Sequence, residues 1–308
     1  MQVSHPATHG DKLNTLLINN GLSDADRPRV QAALTRYNEW LETLRTADAD
    51  GTELLNHFVT ATNAYKRYID LDLIYDSESN FLYRQNGQLK LSNTILEEFL
   101  PYLFDERLVP GFARLQNIVF GPQKSYAGLS FGSPLLNLSD TGMVFLKTKD
   151  QDFSVSRTHR LTITDEPDSG EIFSKRFCVA HFATEIKTNL DKTMFQEASQ
   201  TAMELKRAVP GSRYVLLCEY LDMTPITTKL TSIDEVIVLR RAKRLASNVR
   251  ANFSTSEGRQ QYRDRYVEFL DSSPLHLGSF ERFISHLNEC FPAEEDDTVD
   301  TVLGRGYF

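Results

Sequence analysis

The chain lacks the features that mark a membrane protein, a secreted protein or a zinc protein. None of its apolar runs approaches the roughly 18 residues that a helix needs to cross a bilayer. The N-terminal segment has no charged stretch followed by an apolar one, so we expect no signal peptide and a cytoplasmic location. The three cysteines are isolated, and no Cys/His spacing indicates zinc. We therefore expect free thiols in a reducing compartment.

The chain also lacks an excess of positive charge, which argues against a protein that coats nucleic acid along its whole surface. Its formal net charge is −8. The charge is uneven, however, because basic residues cluster at 229–268 and acids crowd residues 289–308. A DNA-binding protein can still be acidic overall, because phosphate contact needs only a local basic face.

Hydrophobic periodicity divides the chain into a helical first part and a mixed second part. Residues 1–90 are predicted to be mostly helical, because apolar residues recur at helical spacing. The Asn86-Gly87 pair is an exception, and it predicts a β-hairpin within this region. We expect a second, mixed domain over residues 91–290 and an acidic tail over residues 291–308.

The second part alternates between strand-like and helical patterns. A helix is predicted at 92–104, and runs of β-branched and aromatic residues predict strands at 144–164, 176–187 and 213–223. A helix is predicted at 191–208 and a basic helix at 234–250. The order β–β–α–β predicts an α/β fold, with a central mixed sheet flanked by helices.

Glu185 and Lys187, at the end of a predicted strand, have the chemistry of a phosphodiester-hydrolysing site. Residues two apart on a strand point to one face. A carboxylate there can hold Mg²⁺, and a lysine can stabilise the charge that develops during attack by water. A second Glu-x-Lys, formed by Glu204 and Lys206, lies on a predicted helix. Side chains two apart on a helix diverge by about 200°, so this second pair cannot form such a site.

The second carboxylate of such a site has two main candidates, Asp152 and Asp168. If the two strands form an antiparallel hairpin, Asp152 falls opposite Lys187, whereas Asp168 falls inside the turn, roughly 50 Å of strand away. The hairpin therefore favours Asp152, and Asp168 is interpreted as a turn former. Asp150, on the same strand face as Asp152, is a weaker alternative.

These pieces resemble the catalytic hairpin of the PD-(D/E)xK nuclease superfamily, and specifically that of type II restriction endonucleases. Asp152 opens one strand, Glu185-x-Lys187 ends the next, and a helix carrying Gln196 follows. The resemblance covers roughly residues 92–245. The superfamily's proline before the first acid is replaced here by Gln151, but members of the superfamily vary at that position.

The resemblance implies an activity and a set of site residues. It implies a restriction-endonuclease-like catalytic domain at 91–290 that hydrolyses double-stranded DNA with Mg²⁺, leaving 5′-phosphate and 3′-hydroxyl ends. Asp152 and Glu185 would bind the metal, Glu97 is the candidate accessory acid of the first core helix, and Gln196 is a further candidate catalytic residue. One active site cuts one strand, so we expect a homodimer or a second nuclease subunit, as in enzymes with an asymmetric site.

The predicted basic helix supplies most of the candidate DNA contacts. Arg240, Lys243 and Arg244 would share one helix face, with Arg241 offset by one residue. Such a face can contact phosphates, and arginine can read guanine edges. Lys124 follows Gly-Pro in a predicted loop that could enter a groove.

The residues leave other functions open. A repair or phage-type nuclease would share the fold but need a free DNA end. A DNA-binding protein with an inactive nuclease core would ignore Mg²⁺. An unrelated α/β protein would show neither property.

Overall fold

The first part of the chain is helical. The computed structural model describes residues 7–132, 144–164, 171–294 and 299–306, and no helix within these ranges is long and apolar enough to span a membrane. The N-terminal helices are α1 (Thr8–Leu17), α2 (Arg27–Arg45), α3 (Gly51–Arg67), a π-helix (Tyr68–Tyr75), α4 (Asn80–Leu89) and α5 (Leu91–Phe99). Two short 3-10 helices follow at Leu100–Leu103 and Pro110–Arg114.

A five-stranded mixed sheet forms the centre of the second part. Its strands are β1 (Ile118–Phe131), β2 (Val144–Thr164), β3 (Glu171–Leu190), β4 (Arg213–Leu221) and β5 (Glu235–Lys243), in that spatial order. Strands β1, β2 and β3 are antiparallel neighbours, whereas β3, β4 and β5 are parallel. The other helices are α6 (Lys192–Ala208), α7 (Ser247–Arg250), α8 (Ser256–Gln261), α9 (Arg263–Ser272), α10 (Leu277–Cys290) and α11 (Val299–Arg305). The predicted α/β class and the order β2–β3–α6–β4 are confirmed.

Local sequence explains why α6 forms where it was expected. Asp191 caps its N-terminus, because its carboxylate accepts a hydrogen bond from the Met194 backbone N–H at 2.8 Å. Phe195 and Leu205 bury one face of α6 against the sheet. A crossover helix of this kind joins parallel strands, so α6 sets β4 beside β3.

Two predictions from local sequence patterns are wrong. The Asn86-Gly87 pair lies inside helix α4 rather than in a hairpin, because Leu82 buries this segment in the core as a helix. The second error is the basic helix at 234–250. Residues 235–243 form β5, since pairing with β4 offers them a parallel strand neighbour, and only a short helix follows.

The hydrophobic core is continuous across residue 90. One cluster of buried residues joins side chains of the N-terminal helices, such as Trp40 and Phe58, to sheet residues Phe153, Phe182 and Val215. The helical first part therefore packs against one face of the sheet. A second cluster, between α6 and the other face, includes Phe195, Leu205 and Leu216.

A buried ionic network fastens the first part of the chain to the end of β4. The Glu219 carboxylate, 1% exposed, forms an ion pair with Lys66 Nζ at 3.0 Å. It also accepts a hydrogen bond from Arg240 Nε at 2.8 Å. Lys66 also donates to the Ser92 carbonyl, and Arg240 Nη2 lies 3.6 Å from Asp70. Burial raises the pKa of Glu219, but Lys66 and Arg240 together hold it below the ordinary value, so the carboxylate is charged.

The same network makes Glu219 critical for stability. Glu219→Gln should lower the free energy of unfolding by about 3–5 kcal/mol, because it leaves Lys66 and Arg240 buried without their anion. Urea denaturation measures this change. The exposed Glu281→Gln serves as a matched control and should unfold like the wild type. Equal urea concentrations at the unfolding midpoint for both variants would contradict the role given to Glu219.

A second buried network joins α1 to α5. The Glu98 carboxylate accepts hydrogen bonds from the His9 backbone N–H and the Tyr37 hydroxyl. The His9 ring lies 3.1 Å from Thr94 Oγ1 and 2.8 Å from the Tyr65 hydroxyl. Burial, with Lys66 nearby, lowers the pKa of His9 from 6.5 to about 3. The imidazole is therefore neutral in the folded chain.

This depressed pKa predicts acid sensitivity below neutral pH. The unfolded chain takes up the His9 proton first, so the stability is complete above about pH 6.5 and is lost as pH falls below it. The expected slope is roughly 1.4 kcal/mol per pH unit. Denaturant unfolding at a series of pH values should show this slope in the wild type and in His57→Gln, which changes an exposed histidine. His9→Gln should flatten it, and an unchanged slope in that variant would contradict the assignment.

Candidate active site

A cleft of about 660 Å³ opens at the carboxyl ends of the parallel strands β3, β4 and β5. Parallel sheets commonly bind ligands at this edge. One wall comes from α4 and the start of α5, and the other from residues 244–269. Asp152, Glu185 and Lys187 all line this cleft, so the structure brings the three residues of the predicted catalytic core together.

The predicted antiparallel hairpin of β2 and β3 is confirmed, although its register differs by two residues. Phe153 pairs with Thr184, so the next position places Asp152 beside Glu185 rather than opposite Lys187. The strands already pair at 164 and 171, closer to the turn than assumed, and two bulges follow. Asp152 Oδ2 accepts a hydrogen bond from the Ile186 backbone N–H at 2.7 Å, which fixes this carboxylate against β3.

Of the two acids considered as alternatives to Asp152, the structure describes only Asp150. Asp168 lies outside the described residues. Asp150 lines the cleft but is exposed, with its carboxylate 4.0 Å from Lys124 Nζ. His181, two periods of the strand alternation before Glu185, is the unpaired β3 residue at the bulge between β2 and β3, and it lines a different cavity with Arg157.

Glu185 is held from two sides. Its Oε1 lies 2.5 Å from Lys187 Nζ, and its Oε2 accepts a hydrogen bond from the Tyr214 hydroxyl at 2.7 Å. Tyr214 is a fully buried residue of β4, the strand next to β3. The sequence analysis missed Tyr214, because a tyrosine within an apolar run looks like an ordinary core residue.

The acids of the site are poorly solvated. Burial raises the pKa of Asp152, and the negative charge of Glu185 raises it further. Burial likewise raises the pKa of Glu97, with a contribution from Asp152. Burial lowers the pKa of Lys187, but the Glu185 carboxylate outweighs it, so the ammonium stays charged. A cation beside Asp152 and Glu185 would relieve the repulsion between these carboxylates.

The donors available to a metal are few. Within the described ranges, no group of three or more His, Cys, Asp or Glu side chains could hold a metal ion by itself. Asp152 and Glu185 supply hard oxygen atoms from adjacent strands. Mg²⁺ commonly binds one or two carboxylates and keeps several waters, so this pair fits Mg²⁺ better than a metal that needs a complete protein shell.

The two accessory residues predicted from sequence differ in their placement. Glu97 is partly buried on α5, accepts a hydrogen bond from Asn93 Nδ2 at 2.9 Å and interacts electrostatically with Asp152. Gln196 is exposed on α6 and does not line the cleft. Its neighbour Glu197 is the α6 residue that interacts electrostatically with Lys187.

The predicted DNA contacts are dispersed. Arg244 lines the cleft, with Nη1 3.4 Å from the Asp222 carboxylate. Arg241 and Lys243 are exposed in β5 but do not line the cleft, and Lys124 is exposed in β1, a strand rather than the predicted loop.

The prediction that Arg240 contacts DNA is wrong. Its guanidinium is buried in the Glu219 network and donates to the Ser273 carbonyl at 2.7 Å, so it cannot face DNA. Two basic residues outside the predicted set, Lys90 and Arg250, line the cleft instead. Lys90 also lowers the pKa of both Asp152 and Glu97 electrostatically, which places its charge near the acids.

Comparison with known proteins identifies the family of the chain. The model of the Bpu10I restriction endonuclease family matches residues 88–308, well over half of the chain. A solved structure described as the native BbvCI A2B2 tetramer has the same fold, with a TM-score of 0.61 and 18% identity over 94% of this chain and 97% of that chain. No curated protein sequence matches. The chain thus belongs to the Bpu10I restriction endonuclease family, a family of type II restriction enzymes.

Proposed function

We propose that this chain is a Mg²⁺-dependent subunit of a type II restriction endonuclease that hydrolyses double-stranded DNA at a specific site. The products would be 5′-phosphate and 3′-hydroxyl ends. The observation that carries the proposal is the convergence of Asp152, Glu185 and Lys187 in one cleft, within a chain that belongs to this family.

Asp152 and Glu185 would hold the metal between β2 and β3. When bound, Mg²⁺ would polarise the scissile phosphate and lower the pKa of the attacking water. The hydrogen bond from the Ile186 backbone fixes Asp152, and the Tyr214 hydroxyl fixes Glu185, so both carboxylates are oriented before DNA arrives. Such preorganisation avoids a reorganisation cost in the transition state.

Lys187 is the residue proposed to act on the reacting groups. Its charged ammonium lies on the same strand face as Glu185, where it would orient the attacking water and stabilise negative charge on the phosphate. Glu97 is the proposed accessory acid, because it shares the electrostatic field of Asp152. Gln196 stays a candidate catalytic residue on the superfamily resemblance alone.

Local basic residues would bring DNA to an acidic protein. Lys90, Arg244 and Arg250 line the cleft and would contact phosphates near the scissile bond. The exposed residues Arg241, Lys243 and Lys124 would add contacts outside it. Counting basic residues alone would not separate these side chains from the buried Arg240.

A second active site is needed to cut both strands. The BbvCI structure is described as an A2B2 tetramer, which combines two kinds of subunit. We propose that this chain likewise works with a second nuclease subunit or a second copy of itself. A cytoplasmic location fits an enzyme that meets DNA inside the cell.

Incubation with supercoiled plasmid DNA tests the activity directly. Discrete linear fragments formed with Mg²⁺ but not with EDTA are expected from a site-specific endonuclease, and nicked circles are expected from a subunit without its partner. Retained DNA binding without any cleavage would favour the inactive DNA-binding protein. Cleavage restricted to linear DNA would favour an end-dependent repair or phage-type nuclease.

The three catalytic residues should behave alike in that assay. Asp152→Ala, Glu185→Ala and Lys187→Ala should each lower the cleavage rate by ~100-fold or more, because each removes a group that stabilises the transition state. Thermal unfolding should show that the variants remain folded. Asp168→Ala, a change in the predicted turn, is the control and should cleave normally. An active Asp152→Ala enzyme beside an inactive Asp168→Ala enzyme would refute the assignment.

Tyr214→Phe tests the support of Glu185. Loss of the hydroxyl should raise the Mg²⁺ concentration needed for half-maximal cleavage by about 10-fold or more, as expected for an outer-shell partner. Tyr68→Phe is the control, because Tyr68 lines a separate cavity beside Arg36 and does not line the cleft. Equal Mg²⁺ dependence for the two variants would exclude this role for Tyr214.

A further inference from the structure

Strands β2 and β3 extend past the rest of the sheet as a two-stranded ribbon. The pairing of β1 with β2 ends at Arg157, and the pairing of β4 with β3 begins only at Phe182. Between these limits and the connection at 165–170, β2 and β3 pair chiefly with each other, apart from one contact of β1 at Cys178. We call residues 157–164 and 171–178 the basic ribbon.

Successive side chains of a strand point to opposite faces, and one face of the basic ribbon is polar and exposed. Its cross-strand pairs are Thr158–Cys178, Arg160–Arg176 and Thr162–Ser174. Five of these six residues are exposed, and Cys178 is partly exposed. The opposite face carries Phe177, whose ring lies 5.3 Å from that of Tyr126 and 5.9 Å from that of His159, so that face is partly covered. The face of Arg160 and Arg176 stays open to solvent.

The pairing of Arg160 with Arg176 is unfavourable in the chain alone. Like charges directly opposite each other on a sheet repel, and among the side chains that the structure describes no carboxylate forms an ion pair with either guanidinium. Lys175 and Arg157, both exposed, add two more positive charges to the same ribbon without an ion-pair partner in those ranges. The two ribbon segments together carry four basic residues against one acid, Glu171, and in a chain of net charge −8 this local excess of positive charge indicates an anionic partner.

We propose that the basic ribbon is a DNA-contacting arm, with Arg160 and Arg176 as its central contacts; this inference rests on the proposed function. A two-stranded β-ribbon fits the major groove of B-DNA. The guanidinium groups can bind phosphates or guanine edges, and the hydroxyls of Thr158, Thr162 and Ser174 can donate to either. The connection at 165–170, which is acidic in sequence, takes no part in the proposal.

The position of the arm separates it from the chemical step. Arg160 lies eight residues beyond Asp152 on the same side of β2, which corresponds to ~27 Å of extended strand. That length spans roughly eight base-pair steps. The arm therefore contacts DNA well away from the bond that is cut, and its loss should weaken binding rather than hydrolysis by bound enzyme.

Fluorescence anisotropy with a labelled, mixed-sequence duplex in EDTA measures binding by the full chain without cleavage. Arg160→Ala/Arg176→Ala should weaken binding roughly 10-fold or more and reduce the slope of log affinity against log salt by about two, one for each lost phosphate contact. Arg160→Lys/Arg176→Lys should keep most of the slope, because it keeps both charges. The double alanine variant should not unfold at a lower temperature, since it removes a repulsive pair.

The matched control removes two arginines elsewhere. Arg36→Ala/Arg207→Ala changes exposed residues of α2 and α6 and should bind the duplex like the wild type. Equal weakening in the control, or wild-type binding by Arg160→Ala/Arg176→Ala, would overturn the arm while leaving the nuclease proposal intact. A wild-type chain that fails to bind the duplex even at low salt would overturn both. Lys187→Ala should still bind, which separates loss of chemistry from loss of the arm.

Discussion

The buried Glu219 carboxylate is the constraint on which the architecture of the cleft depends. Lys66 reaches it from α3 and Arg240 from β5, so helices from the first part of the chain must dock at the carboxyl edge of the sheet. A buried charge that loses its partner costs several kcal/mol, which makes this arrangement hard to relax. Because the docked segment continues into α4 and α5, the same network positions the wall that carries Lys90 and the helix that carries Glu97.

The two carboxylates proposed to bind the metal are also held by fixed partners, on a smaller scale. Asp152 is fixed by a backbone N–H of β3, and Glu185 is fixed by a tyrosine of β4 and a lysine of its own strand. Each carboxylate is thus oriented by a neighbouring strand rather than by a loop. Partial burial raises the pKa of Asp152, so a cation bound beside it would stabilise its charged form. Such an environment is consistent with the divalent metal proposed for the site.

Positive charge serves two separate purposes in this acidic chain. Arg240 and Arg259 are structural, and the buried Arg259 donates hydrogen bonds to the backbone carbonyls of Tyr75, Ser77 and Ser79, among others. The cleft and the basic ribbon carry the basic groups proposed to meet DNA. A basic stretch in the sequence therefore mixes residues that stabilise the fold with residues that can bind phosphate, and only their partners distinguish them.

The sequence by itself determined the elements whose signals are local. The α6 helix has its own capping aspartate, β4 is a continuous apolar run, and Glu185-x-Lys187 has strand spacing, so the β–β–α–β order and the grouping of Asp152 with these two residues could be predicted. Tertiary structure alone decided the rest. Residues 235–243 became a strand because β4 offered them a parallel neighbour, Asn86-Gly87 stayed helical because Leu82 is buried, and Arg240 became structural because an acid on another strand and one on an N-terminal helix enclose it. These outcomes depend on contacts between residues far apart in the chain, which periodicity and residue propensity do not encode.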